Sequence, residues 1–122
     1  MIGYTTLGTN DLPRAAAFYD ELLALFGARR VMDFGTFIVW GNKPGAPGFS
    51  ICKPYNGEPA TVGNGVMIAL AASSPDQVKA VYEKAISLGG TDEGAPGPRS
   101  DQFYAAYFRD LDGNKLNCFC MT

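Results

Sequence analysis

The spacing of apolar residues changes several times along the first half of the chain. Residues 2–8, IGYTTLG, are β-branched and aromatic over a short run, which predicts a strand. From Arg14 to Phe26 the apolar residues Ala15, Phe18, Leu22, Leu25 and Phe26 recur at steps of three and four, which predicts an amphipathic helix. Asn10 and Asp11 are N-cap candidates. Pro13 falls in the first turn, where its missing N–H is harmless, and Gly27 closes the helix. Arg30–Phe34 and Thr36–Trp40 read as two strands joined tightly at Gly35. Asn42–Gly48 is a turn-rich loop and Phe49–Lys53 a further short strand.

Residues 54–65, PYNGEPATVGNG, are dense in Gly and Pro and connect two halves. The same succession then returns. Val66–Ala71 is an apolar strand. Ser73 and Ser74 before Pro75 and Asp76 mark a helix start, and Val78, Val81, Tyr82, Ala85, Ile86 and Leu88 form its apolar stripe up to Gly89 and Gly90. A short extended piece at 91–93 leads into a loop, GAPGPRS. Gln102–Arg109 and Lys115–Cys120 are strands, joined by the tight turn Asp110–Asn114 with Gly113 free to take a positive φ. An offset of 63 residues lays Leu7 on Leu70, Ala17 on Ala80, Tyr19 on Tyr82 and Gly27 on Gly90. This predicts an α+β fold of duplicated βαβββ modules, 1–58 and 62–122. Each module is a four-stranded sheet with one helix, and the two sheets curve into a cup with the helices outside.

At 122 residues the chain is the size of one domain. With 47% apolar and 18% charged residues its composition is globular. A net charge of -2 without a basic stripe argues against a nucleic-acid partner. No apolar run approaches the ~20 residues of a membrane span, so no membrane partner is expected. The opening MIGYTTLGTNDL lacks a basic segment followed by an apolar one, which points to a cytoplasmic protein. The absence of histidine excludes a Ser-His-Asp triad, a Cys-His dyad and any zinc site built on imidazole. Cys52, Cys118 and Cys120 are an odd number, which is no disulfide framework.

The stretches IGYTTLGTNDLPRAAAFYDELL, GNGVMIAL and YFRDLDGNKLN resemble the vicinal oxygen chelate superfamily, which includes lactoylglutathione lyase, extradiol dioxygenases and the fosfomycin- and bleomycin-resistance proteins. The hairpin from Arg109 to Leu116 carries the resemblance best, followed by Asp11, Phe18 and Tyr19. Metal-dependent members place a histidine on the first strand, a carboxylate late in the first half, a ligand on the strand opening the second half and a glutamate on the last strand. Here these positions fall on Tyr4, on Ser50 or Cys52, on Met67 and on Asn117. A neutral phenol, a thioether and a carboxamide are poor ligands for a divalent ion. The resemblance therefore implies a homodimer with no metal or other cofactor, binding a small organic molecule by sequestration. A lactoylglutathione-lyase-like enzyme, or a metal-free isomerase or hydrolase using Tyr4, Asp33 or a cysteine, is the alternative.

Strand alternation puts Tyr4 and Thr6 on the cup side of the first strand, Met67, Ala69 and Ala71 on that of the second-half strand, and Asn117 and Phe119 on that of the last. Leu116, Cys118 and Cys120 then face the helices. With Trp40 and Tyr107 added, the candidate ligand-binding set is Tyr4, Thr6, Trp40, Met67, Tyr107, Asn117 and Phe119. Apolar walls with neutral hydrogen-bonding tips suit an organic ligand. Each choice has a structural rival. Tyr4 is a ligand contact or a core aromatic, Met67 a sulfur ligand or filler, and Trp40 a stacking platform or a subunit contact. The cysteines are a thiolate cluster or core thiols. Arg99 either holds an anion over the cup mouth or is a solvated loop residue, Asp33 is a base or an edge residue, and Arg109 pairs with Asp110 or Asp112.

Overall fold

A computed structural model describes residues 1–122. The chain runs β1 (Tyr4–Gly8), α1 (Leu12–Ala24), β2 (Arg29–Asp33), β3 (Phe37–Gly41), β4 (Gly48–Cys52), β5 (Ile68–Ala71), α2 (Pro75–Ser87), β6 (Thr91–Ser100), β7 (Phe103–Arg109) and β8 (Lys115–Met121). The strands form two four-stranded sheets, ordered β1-β4-β3-β2 and β5-β8-β7-β6. In each, the first strand pairs in parallel with the last, and the other pairings are antiparallel. This is the duplicated βαβββ arrangement with curved sheets. The 63-residue offset carries α1 onto α2 end to end.

Both helices start as their sequences dictate. The Asp11 side chain accepts from the Arg14 N–H, the Ser74 side chain accepts from the Gln77 N–H, and a proline occupies the first turn of each. The apolar stripes repeat in register: Ala15, Phe18 and Leu22 of α1 and Val78, Val81 and Ala85 of α2 are all buried. They join Leu7, Ile38, Trp40, Phe49 and Ile51 of the first sheet, and Ala106, Phe108, Leu116, Cys118 and Cys120 of the second, in one core between helices and sheets. No helix is long and apolar enough to cross a membrane.

Three expectations change. Residues 94–100 are not a loop but belong to β6, despite two prolines and three breaks in the β6–β7 register. The Arg99 guanidinium holds this strand by donating to the carbonyls of Gly97 (2.8 Å) and Ala95 (2.7 Å). Val66 and Met67 precede β5 rather than belonging to it. Phe26 lies past the end of α1, where its C-cap is Leu25. At Gly113 φ is +87°, as the turn requires. At Gly90 a side chain would lie 2.7 Å from the Ala85 carbonyl oxygen and 2.8 Å from that of Arg109, so α2 can end against β7 only on a glycine.

The two halves are tied through the turn between β7 and β8. The buried Asp110 carboxylate accepts from the Tyr19 hydroxyl at 2.6 Å, from the backbone N–H groups of Asp112 and Asn114, and from the Asn114 amide. Asp112 in turn accepts from the Thr9 hydroxyl (2.6 Å) and the Asn10 N–H (2.9 Å), and the Asn114 amide donates to the Gly8 carbonyl. Burial pushes the Tyr19 hydroxyl well above its ordinary pKa, and the neighbouring Asp110 and Asp112 charges add to the shift. The equivalent Tyr82 hydroxyl donates to Asp92 at an exposed position. Tyr19→Phe is therefore expected to lower the unfolding free energy by about 1–3 kcal/mol, because Asp110 stays buried and loses a donor. Tyr82→Phe should change it by less than about 0.5 kcal/mol. Urea denaturation of the two variants checks the contrast.

Candidate functional site

Alternation gives each sheet a second face, turned away from the helices. On the first sheet it carries Tyr4 and Thr6 of β1, Phe37 and Val39 of β3, and Ser50 and Cys52 of β4, the β4 residues lying opposite Thr6 and Gly8 of β1. Thr6 and Ser50 share a 2.7 Å hydrogen bond between hydroxyls, and the Ser50 hydroxyl also lies 2.6 Å from the Thr5 carbonyl. The Tyr4 ring meets Phe37 edge-on with centroids 6.2 Å apart, and Phe37 stacks on Phe34 at 6.4 Å. Tyr4 is 64% exposed, so its ring is available rather than part of the core.

A cavity of about 610 Å³ opens on this face. Tyr4, Met32, Phe37 and Val39 supply apolar wall, Arg29 enters from the start of β2, and Lys43 enters from the loop after β3. A second hollow, about 400 Å³, lies between Ile2, Thr5 and Phe26 of the first unit and Ile68–Ala71 of the second. Neither is lined by Met67, Tyr107, Asn117 or Phe119.

Those four residues belong to the second unit. Tyr107 pairs directly with Asn117, and Phe119 follows two residues along β8. Phe119 stacks on Phe103 with centroids 5.4 Å apart. Tyr107 lies between two cations, with Arg99 at 5.4 Å and Lys115 at 5.6 Å from its ring centre. Asn117 is only 1% exposed, and its amide donates to the Ala106 carbonyl at 3.4 Å. Met67 is 41% exposed just before β5.

Trp40 borders both hollows, but its ring does not lie on the open face. It shares the parity of Ile38 in β3 and turns into the core, 1% exposed. Its indole N–H donates to Asp20 at 2.9 Å, and Asp20 is gripped by Arg30 through two further hydrogen bonds. Those Arg30 bonds, ahead of the Trp40 bond, hold the Asp20 carboxyl below its usual pKa. Arg109 pairs with Glu93 and donates to the Gly113 carbonyl, rather than pairing with Asp110 or Asp112. Asp33 is an exposed edge residue that pairs with Arg30 and accepts from the Gly35 N–H. Sequence reasoning missed Arg29, Met32, Phe37, Val39 and Lys43. Alternation from Phe37 would have found two of them, since Phe37 and Val39 have the parity opposite to Trp40.

The sequence profile of the Glyoxalase/Bleomycin resistance protein/Dioxygenase superfamily matches residues 1–118. The chain belongs to this superfamily. A glyoxalase/bleomycin resistance protein from Albidiferax ferrireducens is similar in structure, with 38% identity, 98% of each chain covered and a TM-score of 0.88. A glyoxalase/bleomycin resistance protein/dioxygenase family enzyme from Burkholderia phytofirmans has 19% identity, 98% coverage of each chain and a TM-score of 0.79. A lactoylglutathione lyase from Agrobacterium tumefaciens has 24% identity, covering 98% of this chain and 92% of its own, with a TM-score of 0.70. At these last two identities the likeness concerns the fold. No curated protein matches the sequence.

The metal of the superfamily's enzymes does not fit the residues of this glyoxalase-fold chain. The positions that the resemblance gives to its ligands carry the exposed phenol of Tyr4, either the Ser50 hydroxyl committed to Thr6 and Thr5 or the Cys52 thiol, the Met67 thioether and the buried Asn117 amide. Nowhere do three Cys, Asp or Glu side chains cluster to hold an ion. The thiols form no site either. Cys118 and Cys120 are core residues and Cys52 lies on the opposite face of the other sheet. Burial, with a smaller contribution from Cys120, pushes the Cys118 thiol up to about 12, and burial also raises Cys52. With an aromatic disulfide reagent at pH 8, Cys52 is expected to react slowly in the native protein. Cys118 and Cys120 should react only after unfolding, as counted by thiolate release and mass spectrometry.

Proposed function

We propose that this member of the superfamily binds a small organic molecule on the open face of the first sheet, without a metal, and that its action is sequestration. The observation that carries the reading is the 610 Å³ cavity walled by Tyr4, Met32, Phe37 and Val39. Its volume lies in the range of small-molecule sites, ~300–1,000 Å³. An aromatic wall that stays exposed in the folded chain is unusual unless something covers it. The second unit contributes Tyr107 and Phe119 from an equivalent open face. We infer that residues 1–122 act as one domain, and that a second copy covers the open faces in a cytoplasmic homodimer. Exposed Val31, Met32, Phe34, Met67 and Met121 support that inference, as do the sheet edges at β1, β2, β5 and β6.

Light scattering on the eluting protein is expected to give twice the 13.0 kDa chain mass. The neutral fluorophore N-phenyl-1-naphthylamine should bind saturably, and Phe37→Ala should weaken it about tenfold through loss of an aromatic contact. Mass spectrometry should recover the probe unaltered, and excess Zn²⁺ or Ni²⁺ should leave the affinity unchanged. An absence of saturable binding, or a metal requirement for it, would overturn the proposal.

A further inference from the structure

We infer that the cavity on the first sheet selects organic anions: a flat apolar body carrying a carboxylate, sulfonate or phosphate. This rests on the binding role proposed above and names its ligand class. Two cations line the cavity, Arg29 and Lys43, and no Asp or Glu does. Neither cation takes part in a salt bridge within the chain, whose three bridges use Arg30 twice and Arg109 once. Neither side chain donates a hydrogen bond to any carbonyl, in contrast to Arg99 and Arg109. Of the acids near Arg29 along the chain, Glu21 pairs with neither cation, and Asp20 and Asp33 are already committed. Asp20 accepts from Arg30 and from Trp40, and Asp33 pairs with Arg30 and the Gly35 N–H.

The charge pattern is specific to this place. The whole chain is net -2, yet the cavity holds two uncompensated positive charges over an apolar wall. Beside a low-dielectric surface such charges act with less screening than in bulk water, and an anion brought there gains from both. Arg29 brings a planar donor fork suited to a carboxylate or phosphate, and Lys43 a mobile point charge from a loop. Tyr4, half-walling the same space, offers a phenolic donor and a ring edge. The second unit's open face has the same sign, with Arg99 and Lys115 flanking Tyr107.

A matched pair of fluorophores isolates the charge: 8-anilinonaphthalene-1-sulfonate and the neutral N-phenyl-1-naphthylamine. The full-length protein should bind the sulfonate more tightly. Arg29→Gln with Lys43→Gln should weaken the sulfonate at least roughly tenfold and leave the neutral probe unchanged. The single variants Arg29→Gln and Lys43→Gln should each give part of that loss. Raising the salt from 50 to 500 mM should weaken the sulfonate alone. Thermal melts confirm that the variants fold. If both probes bind equally and the charge variants change nothing, the anion preference is wrong and the cavity reading stands. If the sulfonate is preferred but ignores every variant, its site is elsewhere and the inference fails. If neither probe saturates, the binding role itself fails.

Discussion

One buried carboxylate organises the chain. Asp110 sits at the turn between β7 and β8, yet its partners include Tyr19 from the middle of α1. A charge taken out of water survives only with its acceptor sites filled, and here four donors converge on it. Three of them come from the turn itself, so the turn is preorganised, and the Asp110 Oδ2, already accepting from the Asn114 amide, also accepts from Tyr19 of α1. Asp112 and Asn114 then bind Thr9, Asn10 and Gly8 just ahead of α1. The helix of the first unit is thereby locked to the second unit's last hairpin. The two otherwise equivalent helices differ in burial, seven residues in α1 and three in α2, although each packs on its own sheet and on the other helix.

With the helices fixed on one side, the period of two in each strand decides everything about the other. Every strand that gives alternate residues to the core leaves the rest facing away, with no second layer in the chain to cover them. In β5 this leaves Ala69 and Ala71 exposed while Ile68 and Leu70 pack inward. In the first sheet it leaves Tyr4 and Phe37 in partial contact with each other and with solvent. The functional surface is therefore the complement of the core. It cannot be changed by one residue of register without emptying the core as well.

Most of the fold was legible because the local signals agreed. The helix starts at Asp11 and Ser74, the repeated stripe and the turn at Gly113 each carry a short-range physical cause written in adjacent residues. Parity likewise placed Tyr4, Thr6, Phe119, Cys118 and Cys120 on the faces they occupy, while Cys52 does not join the other two thiols. Trp40 borders the cavity, but its ring is turned into the core. A large aromatic at a strand end invites a binding role, but Ile38 and Trp40 share one face, and a polar anchor for the indole comes from Asp20, twenty residues away. Beyond the extended piece at 91–93, the rest of β6 was missed because Gly and Pro argue against a strand, and what keeps it in the sheet is distant pairing with β7, with Arg99 bracing Ala95 and Gly97 within the strand. Of the cavity lining only Tyr4 and Trp40 were among the candidates. The cavity depends on a loop, 42–47, folding beside β2, and no period in the sequence encodes that.

The duplication also bears on how the two open faces of one scaffold can differ. Both units retain the core pattern, because the same helix–sheet contacts are needed twice. Their open faces are under no such constraint and have diverged. The first presents Tyr4, Phe37 and a hollow with two free cations, while the second stacks Phe103 on Phe119 and flanks Tyr107 with cations. A metal cage needs ligands from both units to converge on one point, so each position is useful only with the others present. Apolar contact and fixed charge need no such convergence, since each residue contributes to binding in proportion to its own contact with the ligand. With no histidine in the chain and no cluster of three Cys, Asp or Glu side chains, apolar wall and fixed charge are what the open faces offer one residue at a time.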